Sequence, residues 1–263
     1  MNQFSYGPVT PGLAFLMSCT GACLGLLCSA RAQATRAGAR VRWLVLAALS
    51  LGGTGIWVMH FIAMFGFDMP GAEVRYDVPL TLASMCVSVI VVGVGLMLAI
   101  GGAHRRAALL SGGVLTGTGV AGMHYLGMAA VETSRPVTYD TRVVVLSWVV
   151  AIVASTAALW AALYVRGLRA TLLAAPVMGL AVCGMHYTGM YAMRAVRQEP
   201  GTAPHTVHGA EPADLLAPLI TGISVVTLVV LVVVAIWPNV EQMEDDRDFD
   251  VRVSRLTGVR TPV

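Results

Sequence analysis

The sequence predicts an all-α polytopic membrane protein, a bundle of seven transmembrane helices formed by three two-helix repeats and a seventh helix. Three observations predict this fold class: an apolar composition, seven long apolar stretches, and a motif that recurs three times at a nearly constant interval. Of the 263 residues, 57% are hydrophobic and 12% are charged, and mean hydropathy is +0.75. The charged share is about half that of a typical soluble domain, which places the chain in the membrane class.

Each predicted helix is long enough to cross a bilayer, whose hydrocarbon core requires about 20 mainly apolar residues. The seven stretches are 9–30, 43–67, 78–101, 107–131, 143–165, 169–193 and 214–237. We expect a membrane domain over 9–240, a short extracytoplasmic segment over 1–8 and a flexible cytoplasmic tail over 241–263. The first residues carry no basic side chain, so no cleavable signal peptide is expected.

The placement of charge predicts the orientation in the membrane. All 17 basic residues are arginine; 12 follow the first, third and fifth stretches or lie in the tail, and five lie on the opposite side. The arginine-rich side is expected to be cytoplasmic, in the cell's inner (plasma) membrane, with the N-terminus outside and the C-terminus inside. The expected partner is therefore the lipid bilayer. Nucleic acid is not expected, because the sequence has no basic patch with interleaved aromatic residues.

A motif containing methionine and histidine recurs near the outer ends of the second, fourth and sixth predicted helices. Its copies are residues 57–64 (WVMHFIAM), 121–128 (AGMHYLGM) and 183–190 (CGMHYTGM). The histidines are 64 and 62 residues apart, and a glycine precedes each by seven residues. The repeats therefore cover about 9–67, 78–131 and 143–193. Since two crossings restore the orientation, the motifs are expected at one depth, as in membrane proteins built by internal duplication.

An aspartate precedes or starts the third, fifth and seventh predicted helices, which begin at the outer face. Asp77 and Asp140 each follow a tyrosine, and Asp214 stands at the start of the last apolar stretch. A carboxylate at this position can accept hydrogen bonds from the first free amides of a helix and favours its positive end. We therefore predict that all three cap their helices.

With these motifs the sequence resembles the MHYT-domain family of bacterial integral membrane sensors, known for three Met-His-Tyr-Thr-type motifs in six or seven helices. Residues 185–188 have all four residues of the motif, the second copy has Leu126 in place of threonine, and the first retains only Met59 and His60. The resemblance covers roughly residues 9–197. It implies a sensor or signalling module that is not an enzyme, copper as its cofactor, and oxygen, CO, NO or redox state as its signal.

Members of that family often continue into a cytoplasmic signalling domain. Here only the predicted tail follows the last helix. We therefore expect a member without an output domain of its own, which would act through a separate cytoplasmic signalling protein.

The motif residues themselves point to soft-metal chemistry. Residues four apart share one face of a helix, so each histidine can act together with the methionine one turn later. Imidazole suits copper, zinc, iron and nickel, and thioether narrows the choice towards copper. The candidate metal ligands are His60, His124 and His186, the trailing Met64, Met128 and Met190, and the leading Met59, Met123 and Met185.

Other functions stay open on the sequence alone. Copper handling or transport would use the same ligands, and haem is a less favoured cofactor that two histidines could hold. A single histidine near a membrane interface can also simply bond a backbone carbonyl, but three matched copies favour a shared site. No hydrolase or phosphate-binding motif is present, so no catalytic residues are expected.

Overall fold

The computed structural model describes residues 5–35, 37–102, 104–195 and 206–237. Their helices are α1 (Val9–Ala34), α2 (Ala37–Ala48), α3 (Met59–Phe65), α4 (Val78–Gly101), α5 (Arg105–Ala129), α6 (Thr141–Tyr164), α7 (Leu168–Tyr191) and α8 (Pro212–Ile236). A π-helical segment, Leu49–Val58, joins α2 to α3 into one continuous rod. These helices correspond to the seven predicted stretches. The predicted tail 241–263 lies outside the described residues.

Six helical rods of the described chain are long and apolar enough to cross a membrane. The remaining rod, α5, has 25 residues but is less apolar because six of them are glycine. It packs along both α4 and α6, so it lies in the same layer as they do. The predicted all-helical membrane bundle is therefore confirmed.

The rods form a closed ring with one helix outside it. Around the ring, α1 is followed by the α2–α3 rod, α4, α5, α6 and α7, and α7 packs against α1 again. Helix α8 packs on the outside, against the π segment and α1. In this order α3, α5 and α7 occupy alternate positions, so their ends face one another across the centre. We call the end that carries their histidines the motif end.

Short antiparallel strands connect the repeats at the motif end. Strand β1 (Val74–Tyr76) pairs with β2 (Val131–Thr133), and β3 (Val137–Tyr139) pairs with β4 (Met193–Ala195). Each pair joins the segment that follows one histidine helix to the segment that follows the next. Hydropathy does not predict these strands, since they have only three residues each. They fix the three histidine helices at a common height.

Two of the three predicted aspartate caps are confirmed. Asp77 accepts a hydrogen bond from the Leu80 amide at 2.7 Å at the start of α4, and Asp140 accepts one from the Arg142 amide at 3.1 Å at the start of α6. The prediction for Asp214 is wrong. Helix α8 starts at Pro212, and Asp214 lies within its first turn. Proline suits the first helical position because its missing amide proton would be unbonded there.

The π segment depends on glycine for its contacts. A side chain at Gly21 of α1 would collide with the backbone at Gly55, so two glycines allow α1 to approach the π segment closely. Ser18 of α1 also donates to the Gly55 carbonyl at 2.8 Å, and Ser88 of α4 donates to the Gly52 carbonyl at 2.7 Å. π-helical turns are rare and occur often at functional sites. This one ends directly before Met59-His60.

Candidate metal centre

The three motif histidines meet inside the ring at the motif end. His60 on α3, His124 on α5 and His186 on α7 are at most 1% exposed. His60 Nδ1 lies 3.0 Å from His186 Nδ1 and 3.2 Å from His124 Nδ1. One nitrogen from each ring lies within 4.8 Å of the other two. The rings stand nearly perpendicular to one another, with interplanar angles of 84–88°.

Glycine in the neighbouring motif makes room for two of these rings. A side chain at Gly127 would approach His60 Nε2 to 2.7 Å, and one at Gly189 would collide with the His124 ring. Each glycine stands three residues after the histidine of its own motif. Thus the histidine of one repeat packs against the next repeat, and the geometry of the centre depends on all three hairpins together.

The arrangement of nitrogens suits a cation better than mutual hydrogen bonds. A neutral imidazole has one N–H and one in-plane lone pair, so His60 Nδ1 cannot form a good hydrogen bond to both neighbours. Three nitrogens bound at about 2.0 Å around one ion would lie about 3.5 Å apart. The observed contacts of 3.0 and 3.2 Å are somewhat shorter than that. The three side chains therefore fit a small metal ion after a slight expansion.

The opposite nitrogens of two rings have no hydrogen-bond partner within the described chain. These are the buried Nε2 atoms of His60 and His124. Metal-bound imidazoles usually donate this second N–H to a carboxylate, carbonyl or water, and a buried donor left unbonded costs about 1–3 kcal/mol. The candidate ligand nitrogens thus lie close together, and no side chain of the described residues accepts a hydrogen bond from the Nε2 atom of His60 or His124.

The predicted methionines divide into two groups. The trailing Met64, Met128 and Met190 form one buried cluster with Phe67, Met69 and Met193. Each of the three stands one helical turn beyond its histidine, so the cluster forms a sulfur-rich layer over the centre. The second group does not converge, because Met59 packs with Ala14 and Cys183 whereas Met123 and Met185 belong to the main core.

The tyrosine and threonine of the motif have structural contacts. Tyr125 shares a hydrogen bond of 2.7 Å with Ser147 of α6. In the first repeat, the indole of Trp57 donates to Ser84 of α4 at 2.9 Å. This bond joins a histidine-bearing rod to the helix that follows it, as the Tyr125–Ser147 bond joins α5 to α6. Thr188 donates to the Gly184 carbonyl of its own helix. These residues attach the histidine helices to their neighbours, and none of these bonds reaches the three imidazoles.

Sequence reasoning identified the histidines but missed the glycines that seat them. Gly127 and Gly189 were visible as part of the repeated pattern, and the first copy has Ala63, another small residue, at that position. The signal was the small residue three positions after each histidine. The role of this small residue can be recognised only from the order of helices in the ring, because each glycine contacts the histidine of another repeat.

Fold and site together define a class: a multi-pass helical membrane protein whose repeats each bring one histidine to a common centre. Residues 53–112 and 117–175 match the family MHYT, described as a bacterial signalling protein N-terminal repeat. The chain belongs to this family. The two matched repeats begin at the glycines seven residues before His60 and His124. Each family repeat therefore starts within a histidine-bearing rod, whereas each two-helix hairpin starts at the helix before it.

Several signalling proteins share this region. The chain is 36% identical over 193 residues to the bifunctional diguanylate cyclase/cyclic di-GMP phosphodiesterase MucR of Pseudomonas aeruginosa, covering 72% of the chain and 28% of that protein. It is 32% identical over 199 residues to the cyclic di-GMP phosphodiesterase NbdA of the same species, covering 73% and 25% respectively. It is 30% identical over 192 residues to the signaling protein YkoW of Bacillus subtilis, covering 68% and 23%.

The chain thus spans less than a third of the length of each of these relatives. No solved structure matches it. Shared sequence and the helical bundle make it a multi-pass membrane protein with a sensor or signalling role.

Proposed function

We propose that the chain is a membrane sensor whose input site is a copper centre held by His60, His124 and His186. The observation that carries this proposal is the convergence of three buried Nδ1 atoms, with contacts of 3.0 and 3.2 Å, at the centre of the ring. A buried histidine inside a membrane is costly and is a functional candidate by default. Three of them in contact, each from a different repeat, are hard to explain by packing alone.

The surroundings of the histidines favour copper. No cysteine or carboxylate joins the histidine cluster in the part of the chain that the structure describes. Zinc sites commonly include such ligands, whereas thioethers select Cu(I). The layer of Met64, Met128 and Met190 lies one helical turn beyond the histidines, towards the motif end. It offers soft donors to the ion or a hydrophobic cover that keeps water away.

A haem is less compatible with this geometry. Axial imidazoles must stand on opposite faces of a macrocycle, whereas these three rings contact one another directly through their Nδ1 atoms. Passage of copper through the bundle is also disfavoured. The interior beneath the histidines is lined mainly by aliphatic side chains, and its soft donors are Met178 and Met185, both on α7, which are too few to carry a charged ion through the bundle.

The signal would be a change at the centre that alters how the repeats pack. When bound, copper would supply a redox couple and a coordination position for oxygen, CO or NO. The histidines lie on three helices that are joined by strands and by the Gly127 and Gly189 contacts. A change in ligand geometry would therefore shift the helices relative to one another. A cytoplasmic signalling protein or domain would detect that shift.

The orientation forms part of the proposal. The end opposite the motif end carries Arg31, Arg40, Arg42, Arg105, Arg106, Arg166 and Arg169 within the described residues. By the arginine bias this end faces the cytoplasm of the bacterial cell, with the centre near the outer face of the inner membrane. A reporter fusion that is active only in the cytoplasm, placed after α8, tests this orientation. An inactive fusion at that position would contradict it.

Metal analysis and an optical spectrum test the centre itself. The protein is purified without oxygen and compared with the triple variant His60→Ala, His124→Ala, His186→Ala. We expect copper in the wild type and its loss in the triple variant. The variant His104→Ala, His208→Ala removes two exposed histidines and should retain copper. Equal copper in all three proteins, or a haem absorption band, would contradict the proposal.

A further inference from the structure

The ring encloses a cavity directly beneath the histidine centre. Its volume is about 50 Å³, and all six rods of the ring contribute to its wall. Ile56 of the π segment and Met185 of α7 line it close to the motif. Met185 precedes His186, so the cavity reaches the helical turn that carries one of the imidazoles. None of the functions discussed above uses this space.

The cavity wall offers little to a polar ligand. Aliphatic side chains and methionine dominate it, and its hydroxyls are Ser18, Thr116 and Ser155. Ser18 donates to the Gly55 carbonyl at 2.8 Å and Thr116 to the Val91 carbonyl at 3.4 Å. These hydroxyl protons are therefore directed to the backbone. Apolar cavities without polar partners remain dry and accept apolar molecules such as xenon.

The most exposed part of the cavity wall lies between α6 and α7. Among the lining residues, those that are only half-buried are Ala154 and Ala158 on α6 and Met178 and Val182 on α7. The two alanines stand one turn apart and have the smallest side chains that a non-glycine residue can offer. The contact between α6 and α7 lies on the outer surface of the ring, which the lipid would surround. A small apolar molecule dissolved in the bilayer would therefore meet the opening without crossing the strands at the motif end.

We propose that this cavity is a binding site for a small apolar molecule, of the size of a diatomic gas, which enters from the lipid between α6 and α7. Its connection to sensing rests on the function proposed above, because the cavity ends next to the histidine that would respond. The volume of about 50 Å³ suits a diatomic molecule and is small for a lipid acyl chain. Ions and water are disfavoured by the wall, which has almost no free hydrogen-bonding groups.

Xenon is the probe, since it is apolar, small and independent of any metal. Binding is measured by ¹²⁹Xe NMR on purified protein in lipid nanodiscs, with and without removal of metal by a chelator. The blocking variant is Ala154→Leu, at the mouth of the cavity. The matched control is Ala157→Leu, the same change on the same helix at an exposed position outside the wall. Size-exclusion chromatography verifies that each variant is folded.

We expect wild type and Ala157→Leu to bind xenon equally, and Ala154→Leu to bind about tenfold more weakly because the leucine occupies the opening. Metal removal should leave xenon binding unchanged. Absence of xenon binding in the wild type, equal binding in Ala154→Leu, or a lipid acyl chain found in the cavity would overturn the proposal. Xenon binding in a protein that never holds copper would instead contradict the metal centre alone.

Discussion

At the level of single residues, the histidine centre depends on neighbouring glycines, which have no side chain to occupy the space of the imidazole rings. Gly127 and Gly189 leave the space into which the His60 and His124 rings project. Two other glycines of the same helices, Gly122 and Gly184, face open space, where a side chain would meet no atom within 4 Å. A glycine-to-alanine substitution is therefore expected to disturb the centre at one position and to have no effect at another position only five residues away.

We predict that Gly127→Ala and Gly189→Ala weaken metal binding by about tenfold or more, because the added methyl group displaces an imidazole from the centre. Gly122→Ala and Gly184→Ala should bind metal as the wild type does. Metal titration of the four purified variants tests this. If all four bind alike, the histidine rings do not occupy the positions described.

A second residue-level prediction concerns the bond between Tyr125 and Ser147. Tyr125→Phe removes a hydroxyl that shares a hydrogen bond of 2.7 Å. We expect a loss of about 1 kcal/mol in the free energy of unfolding, the usual net value of such a bond. Thermal unfolding in detergent measures it. Thr188→Val serves as the comparison, since Thr188 bonds only its own helix, and a larger loss there than in Tyr125→Phe would contradict this assignment.

Much of this residue-level chemistry could be predicted from sequence. The repeat predicted that His60, His124 and His186 form one group, because two crossings restore the depth of each motif. It offered all six motif methionines as candidate ligands but did not predict how they would group. Met64, Met128 and Met190, each four residues after its histidine, form one cluster, whereas the neighbours of Met59, Met123 and Met185 depend on the order of helices in the ring.

At the level of helices and strands, the aspartate caps show how local sequence fixes an element's start. Asp77 and Asp140 bond the first free amides of α4 and α6. Their own amides donate to the Ala130 and Ala192 carbonyls at 2.8 and 2.9 Å. Each aspartate thus joins the start of one helix to the end of the histidine helix of the same hairpin.

We predict that Asp77→Ala and Asp140→Ala each lower the free energy of unfolding by about 0.5–2 kcal/mol, the range for loss of an N-cap. Asp214→Ala should have a smaller effect, since Glu211 and not Asp214 is the residue at the N-cap of α8. Thermal unfolding of the three variants under identical detergent conditions provides the comparison. Equal losses for all three would contradict the assigned caps.

The π segment could not be predicted from hydropathy. An apolar window reports burial and length but not whether a backbone amide bonds four or five residues back. What stabilises the segment comes from other helices. Ser18 and Ser88 donate to its carbonyls, and Thr54 shares a hydrogen bond of 2.6 Å with Thr227 of α8. The strands were also missed, since three-residue elements carry no periodic signal.

At the level of the whole molecule, α8 is attached to the ring by a few specific contacts. Near the end opposite the motif, Arg31 of α1 donates to the Val234 carbonyl at 2.8 Å and the Trp237 carbonyl at 3.3 Å. Trp43 lies against the guanidinium, 5.3 Å away, and against Trp237. These contacts join the end of α8 to α1 and α2 at the end of the bundle opposite the motif end. A signal leaving the membrane at that end would pass these contacts.

We predict that Arg31→Gln loosens this end of α8. Hydrogen exchange of residues 230–236 should increase, because bonds from a charged donor contribute about 1.5–3 kcal/mol each. Arg40→Gln is the control, since Arg40 donates to the Ile100 carbonyl of α4 and not to α8. Similar exchange in α8 for both variants would show that Arg31 does not hold it.

The sequence predicted the number of helices and the shared depth of the motifs, but not the closed ring. Hydropathy identifies which segments are apolar and says little about which are neighbours. The neighbours follow from close approaches such as Gly21 to Gly55, from the seating of His60 on Gly127, and from the strand pairs. The position of α8 outside the ring likewise depends on contacts far apart in sequence.

The three histidines are proposed to hold one shared copper centre. Copper stoichiometry in the wild type and in each of the single variants His60→Ala, His124→Ala and His186→Ala distinguishes a shared centre from independent sites. A shared centre predicts about one copper per chain and a severe loss of affinity in every single variant, because three imidazoles bind the same ion. Independent sites would instead give up to about three ions per chain, each variant losing only its own share, and that result would contradict a common centre.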